Sequence, residues 1–582
     1  MSDTVTTIFG LIGGLALFLY GMNSMSAALQ KAAGDKMKKV LSALTRNRVL
    51  GAIAGALVTA VLQSSSATTV MVIGFVSAGL MTLPQGISVI FGANIGTTMT
   101  AQLLAFKISD YIYPIIFIGF LINFIPKNEK VKEIGKVIFS FGLLFEGIEI
   151  MGDVMKPLAS SAFFLNLMGM VGDIPLLGVL LGALMTVVVQ SSSATIAVLQ
   201  NFASQPMDDG VTSVLGLTGA IPILLGDNIG TTITALLASI GQSKDAKRTA
   251  IAHSIFNITG SIVFLFLINP LANFVTMISP KGNEVDVISR QIANAHTVFN
   301  VTVAIVWLCL LDLMVKIVMK LIPGDDREHV NIAAPKFLDE KVLKQPAVAL
   351  HLVTEEITNC AEYVTLMFKS LKDEIIGTNL ETSKADFDTR SNAVQQLQTQ
   401  ISDYITKLLS NGGLTENQAE QAAGLLYVTN NIERIADRSE DITTSVRKMR
   451  ENGKSLSEDA TKDLSGCMDD ISGLFTRAME SVENGDTDEA LQVENERNDL
   501  RKTERKLNKA HMKRVKNKVC DAELTSDFSN ILYNMGRVAD NCSMVAEEAT
   551  DNVDFKEIEL LSNDVKEISD TAQEDKKSNQ EK

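Results

Sequence analysis

The sequence predicts an all-α protein in two parts. The first is a polytopic membrane protein with two inverted repeats that contain re-entrant helical hairpins, and the second is a cytoplasmic helical bundle. Three observations predict this fold class. The 582 residues are 46% hydrophobic with a mean hydropathy of +0.20, more than one soluble core needs. Two polar motifs recur within apolar sequence, and most of the charge lies in the second part.

Charge divides the chain near Pro323 and Gly324. Of the chain's 52 Lys and Arg and 67 Asp and Glu, 19 and 16 lie in residues 1–324, which leaves 33 and 51 for the remainder. The net charge of −15 therefore belongs to the second part and does not indicate a basic nucleic-acid surface. The five Cys are scattered, which argues against a disulfide framework or a zinc ribbon.

The membrane part contains an internal duplication. The segment GAIAGALVTAVLQSSSATT at 51–69 matches GVLLGALMTVVVQSSSATI at 178–196, and GANIGTTMTAQLLA at 92–105 matches GDNIGTTITALLAS at 226–239. We therefore divide residues 1–323 into a first repeat (about 7–126), a second repeat (about 134–269) and an extra span (292–321).

Lys and Arg give the repeats a direction, because the cytoplasmic loops of membrane proteins are enriched in them. Positive segments at 31–48, 127–136 and 244–248 lie on the predicted inside, and sparser charges lie between them. From these charges, residues 7–29 cross from the outside to the inside. The equivalent segment of the second repeat, 134–152, crosses from the inside to the outside. Opposite topology is the inverted-repeat arrangement of many secondary transporters, and it places the C-terminal part in the cytoplasm.

The second part begins after a linker at 324–344. Residues 345–570 show apolar positions every three or four residues with few Gly or Pro, which predicts a helical bundle. It is also duplicated, since NNIERIADRSEDI at 430–442 resembles YNMGRVADNCSMV at 533–545. The polar tail at 571–582 is predicted to be disordered.

Each QSSSAT run lies between two short apolar segments. The segment before it has about 13 residues, well short of the ~20 that a spanning helix needs. This spacing predicts a helical hairpin whose tip stops partway across the membrane. Unwound backbone is tolerated there only where it is buried in protein or lines a cavity, so the hydroxyls and the amide can cap the backbone and face a ligand.

The GxNIGTT motif places Asn, Gly and two Thr before another short apolar stretch, so we expect it to begin a helix. A helix start has unpaired N–H groups and the positive end of the helix dipole, which together attract anions. The hairpin tip and the helix start of one repeat should then converge with those of the other repeat near the midplane of the membrane.

The residue types narrow the ligand. Ser, Thr, Asn and Gln donate hydrogen bonds to an oxyanion, and their oxygens coordinate a hard cation such as Na+. The four motifs contain no Lys or Arg, so helix dipoles and a co-bound cation must neutralise an anion, as in a cation-coupled anion symporter. Close helix packing through Ser and Thr is the alternative. Asp227 is either an ion-coupling group or a helix N-cap.

The doubled motifs resemble those of the type II sodium-dependent phosphate cotransporter family over about residues 8–310. The resemblance implies transport of inorganic phosphate with Na+ as the coupling ion. It implies phosphate binding by Gln63, Ser64, Ser65, Ser66, Asn94, Thr97, Gln190, Ser191, Ser192, Ser193, Asn228 and Thr231. It implies sodium binding by Gln63, Ser66, Thr68, Thr98, Gln190, Ser193, Thr195 and Thr232. Asp227 is a further sodium candidate, because an acid at membrane depth is usually functional.

Residues 345–570 resemble a PhoU domain, whose three-helix bundles carry E-R-x-x-D motifs that hold metal clusters. The first copy matches at Glu433, Arg434 and Asp437, whereas the second keeps Arg537 and Asp540 but has Gly536 in place of Glu. The resemblance implies a divalent or transition metal as a candidate cofactor. The candidate metal or docking residues are Glu433, Asp437, Asp441 and Asp540.

The combined resemblance places the chain in a bacterial inner membrane. It implies inorganic phosphate and membrane lipid as partners, with phosphate-signalling proteins and a second copy of the chain as further candidates, and no nucleic acid. Export is an open alternative, because gradients set the direction of transport. A phosphate sensor without net transport is another.

An intramembrane hydrolase would pair Ser64 or Ser191 with His253 or His296. No G-x-S-x-G elbow surrounds either serine, so we expect no enzyme. Both histidines are interpreted as buried, hydrogen-bonded packing residues.

Overall fold

The computed structural model describes residues 3–41, 47–106, 108–126, 128–159, 174–207, 209–324, 332–551 and 553–558. The regular structure in these ranges is helical apart from one isolated β-bridge between Pro206 and Ser213, which confirms the all-α prediction. The predicted tail at 571–582 lies outside the described residues, as do parts of the predicted charged loops, among them Arg46, Lys107 and Lys127.

The chain divides into two units at Asp326 and Arg327. In chain order, the helices of the first unit are α1 (Asp3–Leu41), α2 (Arg48–Leu62), α3 (Ser65–Ser77), α4 (Leu83–Leu104), α5 (Ile112–Phe124), α6 (Glu129–Ala159), α7 (Pro175–Val189), α8 (Ser192–Ala203), α9 (Gly216–Ala238), α10 (Lys244–Leu265), α11 (Ile268–Ile278), α12 (Glu284–Cys309) and α13 (Leu311–Leu321).

Four helices in the described residues are long and apolar enough to cross a membrane: Thr7–Leu29 within α1, and α4, α9 and α12. A fifth candidate is the pair α10 and α11, which meet at an angle of 90°. Large apolar side chains remain exposed in this unit, for example Phe266 at 83% and Phe124 at 75%. Such surfaces are suited to lipid contact.

The helices α4 and α9, which contain the GxNIGTT motifs, are not interrupted by them. They are continuous helices of 22 and 23 residues. The polar side chains of GxNIGTT do not break them because these side chains bond to their own helix. Asn94 Nδ2 donates to Ile90 O at 3.1 Å, and Thr98 Oγ1 donates to Ile95 O at 2.8 Å.

Glycines of the GxNIGTT motif bring helix backbones into contact. A Cβ atom on Gly92 would lie 1.8 Å from Ala52 O, which packs α4 against α2. The repeat mate Gly226 behaves the same way, with its Cβ position 2.0 Å from Val179 O, and packs α9 against α7. Small residues that permit this approach are the usual basis of close helix packing in membranes.

The first helices of the two repeats pack against each other reciprocally. A Cβ on Gly21 in α1 would lie 2.7 Å from Leu144 N in α6, and a Cβ on Gly147 in α6 would lie 2.6 Å from Phe18 N in α1. Gly21 and Gly147 are equivalent residues of the two repeats, and so are Phe18 and Leu144. The two helices are antiparallel, because the residue numbers of the contacts fall along α6 as they rise along α1. Inverted repeats require such a relation, while their orientation in a membrane stays a prediction.

The second unit contains two sets of three long helices around an apolar core that includes Phe387, Phe475 and Phe528. A partly buried ion pair crosses the first set, with Arg447 Nη2 2.7 Å from Glu374 Oε1. The helices are α14 (Pro346–Ile376), α15 (Leu380–Ser410) and α16 (Glu416–Glu451), then α17 (Glu458–Asn484), α18 (Thr487–Lys516) and α19 (Thr525–Asp551), with the short α20 (Phe555–Ile558) at the end.

We expect Gly226→Ala to destabilise the first unit, because the new methyl group would overlap the backbone of α7. Overpacking of this kind costs about 1–3 kcal/mol. Thermal unfolding of the full chain in detergent should show a lower Tm. Gly13→Ala is the matched control, since no atom lies within 4 Å of its Cβ position. Equal melting temperatures for the two variants would contradict the packing argument.

Candidate functional site

The first QSSS run is a sharp break between α2 and α3. Gln63 adopts the left-handed conformation, with φ 51° and ψ 25°, and Ser64 is extended at φ −150°. Ser64 Oγ then accepts a hydrogen bond of 3.1 Å from Ala67 N. Ser64 is therefore the N-cap that begins α3.

The second run repeats this geometry. Gln190 has φ 55° and ψ 27°, Ser191 has φ −145°, and Ser191 Oγ accepts from Ala194 N at 3.2 Å. Left-handed backbone is unfavourable for residues other than glycine, so its recurrence at the same Gln in both repeats indicates a shared structural requirement. The duplication therefore extends to backbone conformation.

The chain folds back at each break. Thr59 Oγ1 donates to Thr68 Oγ1 at 2.8 Å, whereas residues nine apart in a straight helix would be about 13.5 Å apart. The equivalent Thr186 and Thr195 hydroxyls are 3.0 Å apart. The predicted hairpin at each QSSS run is therefore confirmed as a reversal of two short helices.

The anion-attracting helix ends lie at the QSSS runs. The expectation that GxNIGTT begins a helix was wrong, because Asn94 and Asn228 lie inside α4 and α9. Instead α3 begins at Ser65 and α8 begins at Ser192. The N–H groups of a first helical turn have no intrahelical acceptor, and the positive dipole end lies beside them.

Two buried histidines hold the asparagines of the GxNIGTT motif. His253 Nε2 in α10 donates to Asn94 Oδ1 at 3.1 Å, and His296 Nε2 in α12 donates to Asn228 Oδ1 at 3.3 Å. The interpretation of both histidines as buried, hydrogen-bonded residues is confirmed. Sequence reasoning missed their partners. The signal was the repeated AHxxFN segment, at AHSIFN (252–257) and AHTVFN (295–300).

Hydroxyl groups on α4 and α9 reach the QSSS runs. Thr100 Oγ1 donates to Gln63 Oε1 at 2.9 Å within the first repeat. Its repeat mate Thr234 crosses to the other repeat, where it donates to Ser66 Oγ at 3.2 Å. The first QSSS run therefore contacts the second GxNIGTT helix.

Asp227 makes the two repeats unequal. Its Oδ1 accepts a hydrogen bond of 2.5 Å from Thr186 Oγ1, which also contacts Thr195. Its Oδ2 is buried without a hydrogen-bond partner in the described part of the chain. The first repeat has the same pair of threonines but carries Ala93 instead of the acid. The N-cap alternative is wrong, because Asp227 lies in the middle of α9.

The remaining predicted residues line the same helices. Thr97 and Thr231 are buried one turn beyond the motif asparagines, and Thr232 Oγ1 donates to Ile229 O at 2.8 Å. Ser65 and Ser193 are buried in the first turns of α3 and α8, where Ser192 is half-buried. Some hydroxyl groups of the predicted set thus bond to the backbone, and others lie at the helix starts.

The candidate metal residues of the second unit do not form one cluster. Burial, and then the adjacent Asp437, raises the pKa of Glu433, which indicates a close carboxyl pair on α16. Asp441 instead pairs with Arg438 at 3.1 Å, and Asp540 lies on α19. Within the described ranges, no group of three or more His, Cys, Asp or Glu residues is arranged to hold a metal ion.

Comparison with known families agrees with the duplicated site. The model for the Na+/Pi-cotransporter family matches residues 17–153 and 152–279, one match for each repeat. The chain belongs to the Na+/Pi-cotransporter family. The PhoU domain model matches residues 357–446 and 467–549, so the second unit of this family member is a PhoU domain with two copies of its bundle.

Relatives match this cotransporter-family chain over different fractions of its length. "Putative inorganic phosphate export protein YjbB" of Salmonella typhimurium is 24% identical over 535 residues, which cover 91% of this chain and 95% of that protein. "Uncharacterized protein YqeW" of Bacillus subtilis is 33% identical over 266 residues, 46% of this chain and 84% of that protein.

"Sodium-dependent phosphate transport protein 2A" of Rattus norvegicus is 38% identical over 99 residues, 16% of this chain and 15% of that protein. No solved structure matches the chain significantly.

We expect Gln63→Gly and Gln63→Val to separate the backbone role of Gln63 from its amide role. Glycine adopts φ 51° freely, whereas a β-branched residue is strongly disfavoured there. Thermal unfolding should therefore show a clearly lower Tm for Gln63→Val than for Gln63→Gly, and both variants lose the bond to Thr100. Similar melting temperatures for the two variants would show that the left-handed turn is not required.

Proposed function

We propose that the protein moves inorganic phosphate across the bacterial inner membrane in a process coupled to Na+. The observation that carries this proposal is the pair of equivalent QSSS breaks, each of which begins a helix with a serine cap. Each break supplies free N–H donors, hydroxyl groups and a positive dipole end without a fixed cation. An anion held in this way can be released again, as transport requires.

The phosphate site in this proposal uses the two helix starts and the hydroxyls beside them. Ser66 is already in contact with α9 through Thr234 at 3.2 Å, which supports a site shared by both repeats. We assign phosphate binding to Gln63, Ser64, Ser65, Ser66, Asn94, Thr97, Gln190, Ser191, Ser192, Ser193, Asn228 and Thr231.

The sodium sites in this proposal use the oxygens that remain. Hydroxyl, carbonyl and carboxylate oxygens are the ligands that hard cations prefer. The unpartnered Oδ2 of Asp227 supplies one such oxygen in a buried position. The Thr195 hydroxyl supplies another, and it contacts the same Thr186 hydroxyl that donates to Asp227. We assign sodium binding to Gln63, Ser66, Thr68, Thr98, Gln190, Ser193, Thr195, Asp227 and Thr232.

The PhoU domain has a regulatory role in this proposal. It lies on the cytoplasmic side, where phosphate-signalling proteins can reach it, and the membrane unit is surrounded by lipid. A second copy of the chain is a further candidate partner. The sequence supports the cytoplasmic placement through the positive segments at 127–136 and 244–248.

Export is the second candidate function. It is favoured by the relative YjbB, which matches 91% of this chain, including both units, and whose printed name describes export. The same binding site can serve either direction, because the direction follows from the gradients of phosphate and Na+. Labelled phosphate loaded into cells with and without the protein distinguishes efflux from uptake.

We expect purified full-length protein in proteoliposomes to exchange labelled phosphate in a Na+-dependent manner. Because Ser65 and Ser192 begin α3 and α8, the double variant Ser65→Ala with Ser192→Ala should lower the flux by about tenfold or more, equivalent to ~1.4 kcal/mol. Ser109→Ala, which removes an exposed hydroxyl outside the motifs, is the control. Flux that ignores both Na+ and the double variant would reject the proposal.

We expect Asp227→Asn to raise the Na+ concentration for half-maximal flux by about tenfold, because the amide keeps the shape of the side chain but removes its charge. The phosphate concentration for half-maximal flux at saturating Na+ should change much less. Glu149→Gln, which neutralises an exposed acid, should leave the Na+ dependence as it is. An unchanged Na+ dependence in Asp227→Asn would remove Asp227 from the sodium site while leaving transport intact.

A further inference from the structure

The two copies of the PhoU motif have opposite electrostatic surroundings. In the first copy, Asp437 on α16 lies beside the carboxyl of Glu433, and the amide of Gln395 donates to Asp437 Oδ1 at 3.4 Å. In the second copy, Asp540 on α19 is instead surrounded by guanidinium groups. The same motif position therefore lies in an acidic setting in one copy and in a basic setting in the other.

Three arginines converge on Asp540, and we name them the arginine cluster: Arg497 and Arg501 on α18, and Arg537 on α19. Arg501 Nη2 donates to Asp540 Oδ1 at 2.8 Å, and Arg537 Nη1 donates to Asp540 Oδ2 at 3.3 Å. Arg497 Nε lies 3.8 Å from Asp540 Oδ1. The Asp540 side chain is only 12% exposed, so the cluster surrounds it closely.

One carboxylate cannot accept hydrogen bonds from all the N–H groups of this cluster. The separation of 3.8 Å is too long for a hydrogen bond, and Arg497 Nε is buried with no hydrogen-bond partner among the described residues. Buried donors without an acceptor are costly. Arg501 and Arg537 also keep donors on side chains that are 50% and 44% exposed. The cluster thus has unused N–H groups that open to solvent.

Charge in the cluster favours an anion. Three guanidinium groups face Asp540, and Glu504 is a further acid whose charge interacts with Arg501 and Asp540. Burial raises the pKa of Glu504, and the neighbouring Arg505 and Arg501 lower it. Even with Glu504 counted as ionised, cations outnumber carboxylates. The following residues add to the positive potential, because apart from Arg497, Arg501 and Glu504 the segment 497–518 contains eight Lys and Arg against one Asp.

A metal ion does not fit at this position. The motif glutamate is replaced by Gly536, and a Cβ there would lie 2.8 Å from Glu504 Oε2, so the space is already filled by another side chain. The carboxylate of Asp540 has both oxygens engaged by arginine. The sequence interpretation of Asp540 as a candidate metal ligand is therefore not supported by its surroundings.

We propose that the arginine cluster is a second phosphate-type oxyanion site, separate from the transport motifs and specific to the second copy of the PhoU motif. Guanidinium groups present planar pairs of N–H donors that match the oxygens of phosphate, and they stay charged at all physiological pH values. Free phosphate and the phosphate group of a nucleotide share this chemistry. Asp540 holds the arginines together and competes with the anion for them.

Hydrogen exchange of the full-length protein tests this proposal locally, with inorganic phosphate as the probe. Phosphate should slow exchange in peptides from α18 and α19 that contain the cluster, and sulfate and ATP are compared at equal ionic strength. Arg501→Gln should raise the phosphate concentration for half-maximal protection by about tenfold. Lys502→Gln is the matched control, because it removes the same charge at the next residue, from an exposed pair with Asp499.

Asp540→Asn gives the decisive result. It removes the competing carboxylate, so protection by phosphate should appear at a severalfold lower concentration. A metal site predicts the opposite behaviour, in which Mn²⁺ protects the wild-type cluster and Asp540→Asn abolishes that protection. The proposal is overturned by that result, by equal effects of Arg501→Gln and Lys502→Gln, or by the absence of protection in folded wild type. Stronger protection by ATP than by phosphate would identify a nucleotide as the source.

Discussion

The structure of the membrane unit depends on how backbone groups are satisfied where each QSSS run interrupts a helix. A break within apolar surroundings exposes N–H and C=O groups that cannot turn to water. The two serine caps, Ser64 and Ser191, satisfy part of this need, and the left-handed Gln63 and Gln190 reverse the chain. The N–H groups that remain are the ones that an anion can accept from. The same two helix starts therefore contain both the N–H groups that the serines cap and those available to the proposed anion.

Much of this arrangement could be predicted from the sequence because it depends on local sequence patterns. The all-α class, the duplication and the hairpins followed from composition, repeated motifs and segment length. The continuous course of α4 and α9 could not be predicted in this way. Polar residues such as Asn94 look like helix breakers in a list of letters, but their side chains bond to the preceding turn. Whether a polar residue breaks a helix depends on such contacts.

Contacts between residues that are far apart in the sequence could not be predicted either. Nothing in the spacing of AHSIFN indicates that His253 binds Asn94 of the first repeat, 159 positions earlier. Likewise, the sequence showed that Gly536 replaces a glutamate, but the packing of Glu504 against Gly536 and the arginines around Asp540 required coordinates. Duplicated sequence reveals which residues are equivalent. It does not reveal where the two copies have acquired different neighbours.

The bond between His253 and Asn94 has a consequence for how the protein is made. Asn94 leaves the ribosome well before α10 does, so the motif of the first repeat has no imidazole partner during much of synthesis. The polar centre of the first repeat is therefore completed only when α10, which belongs to the second repeat, has been synthesised. The two repeats are therefore coupled during synthesis as well as in the folded structure.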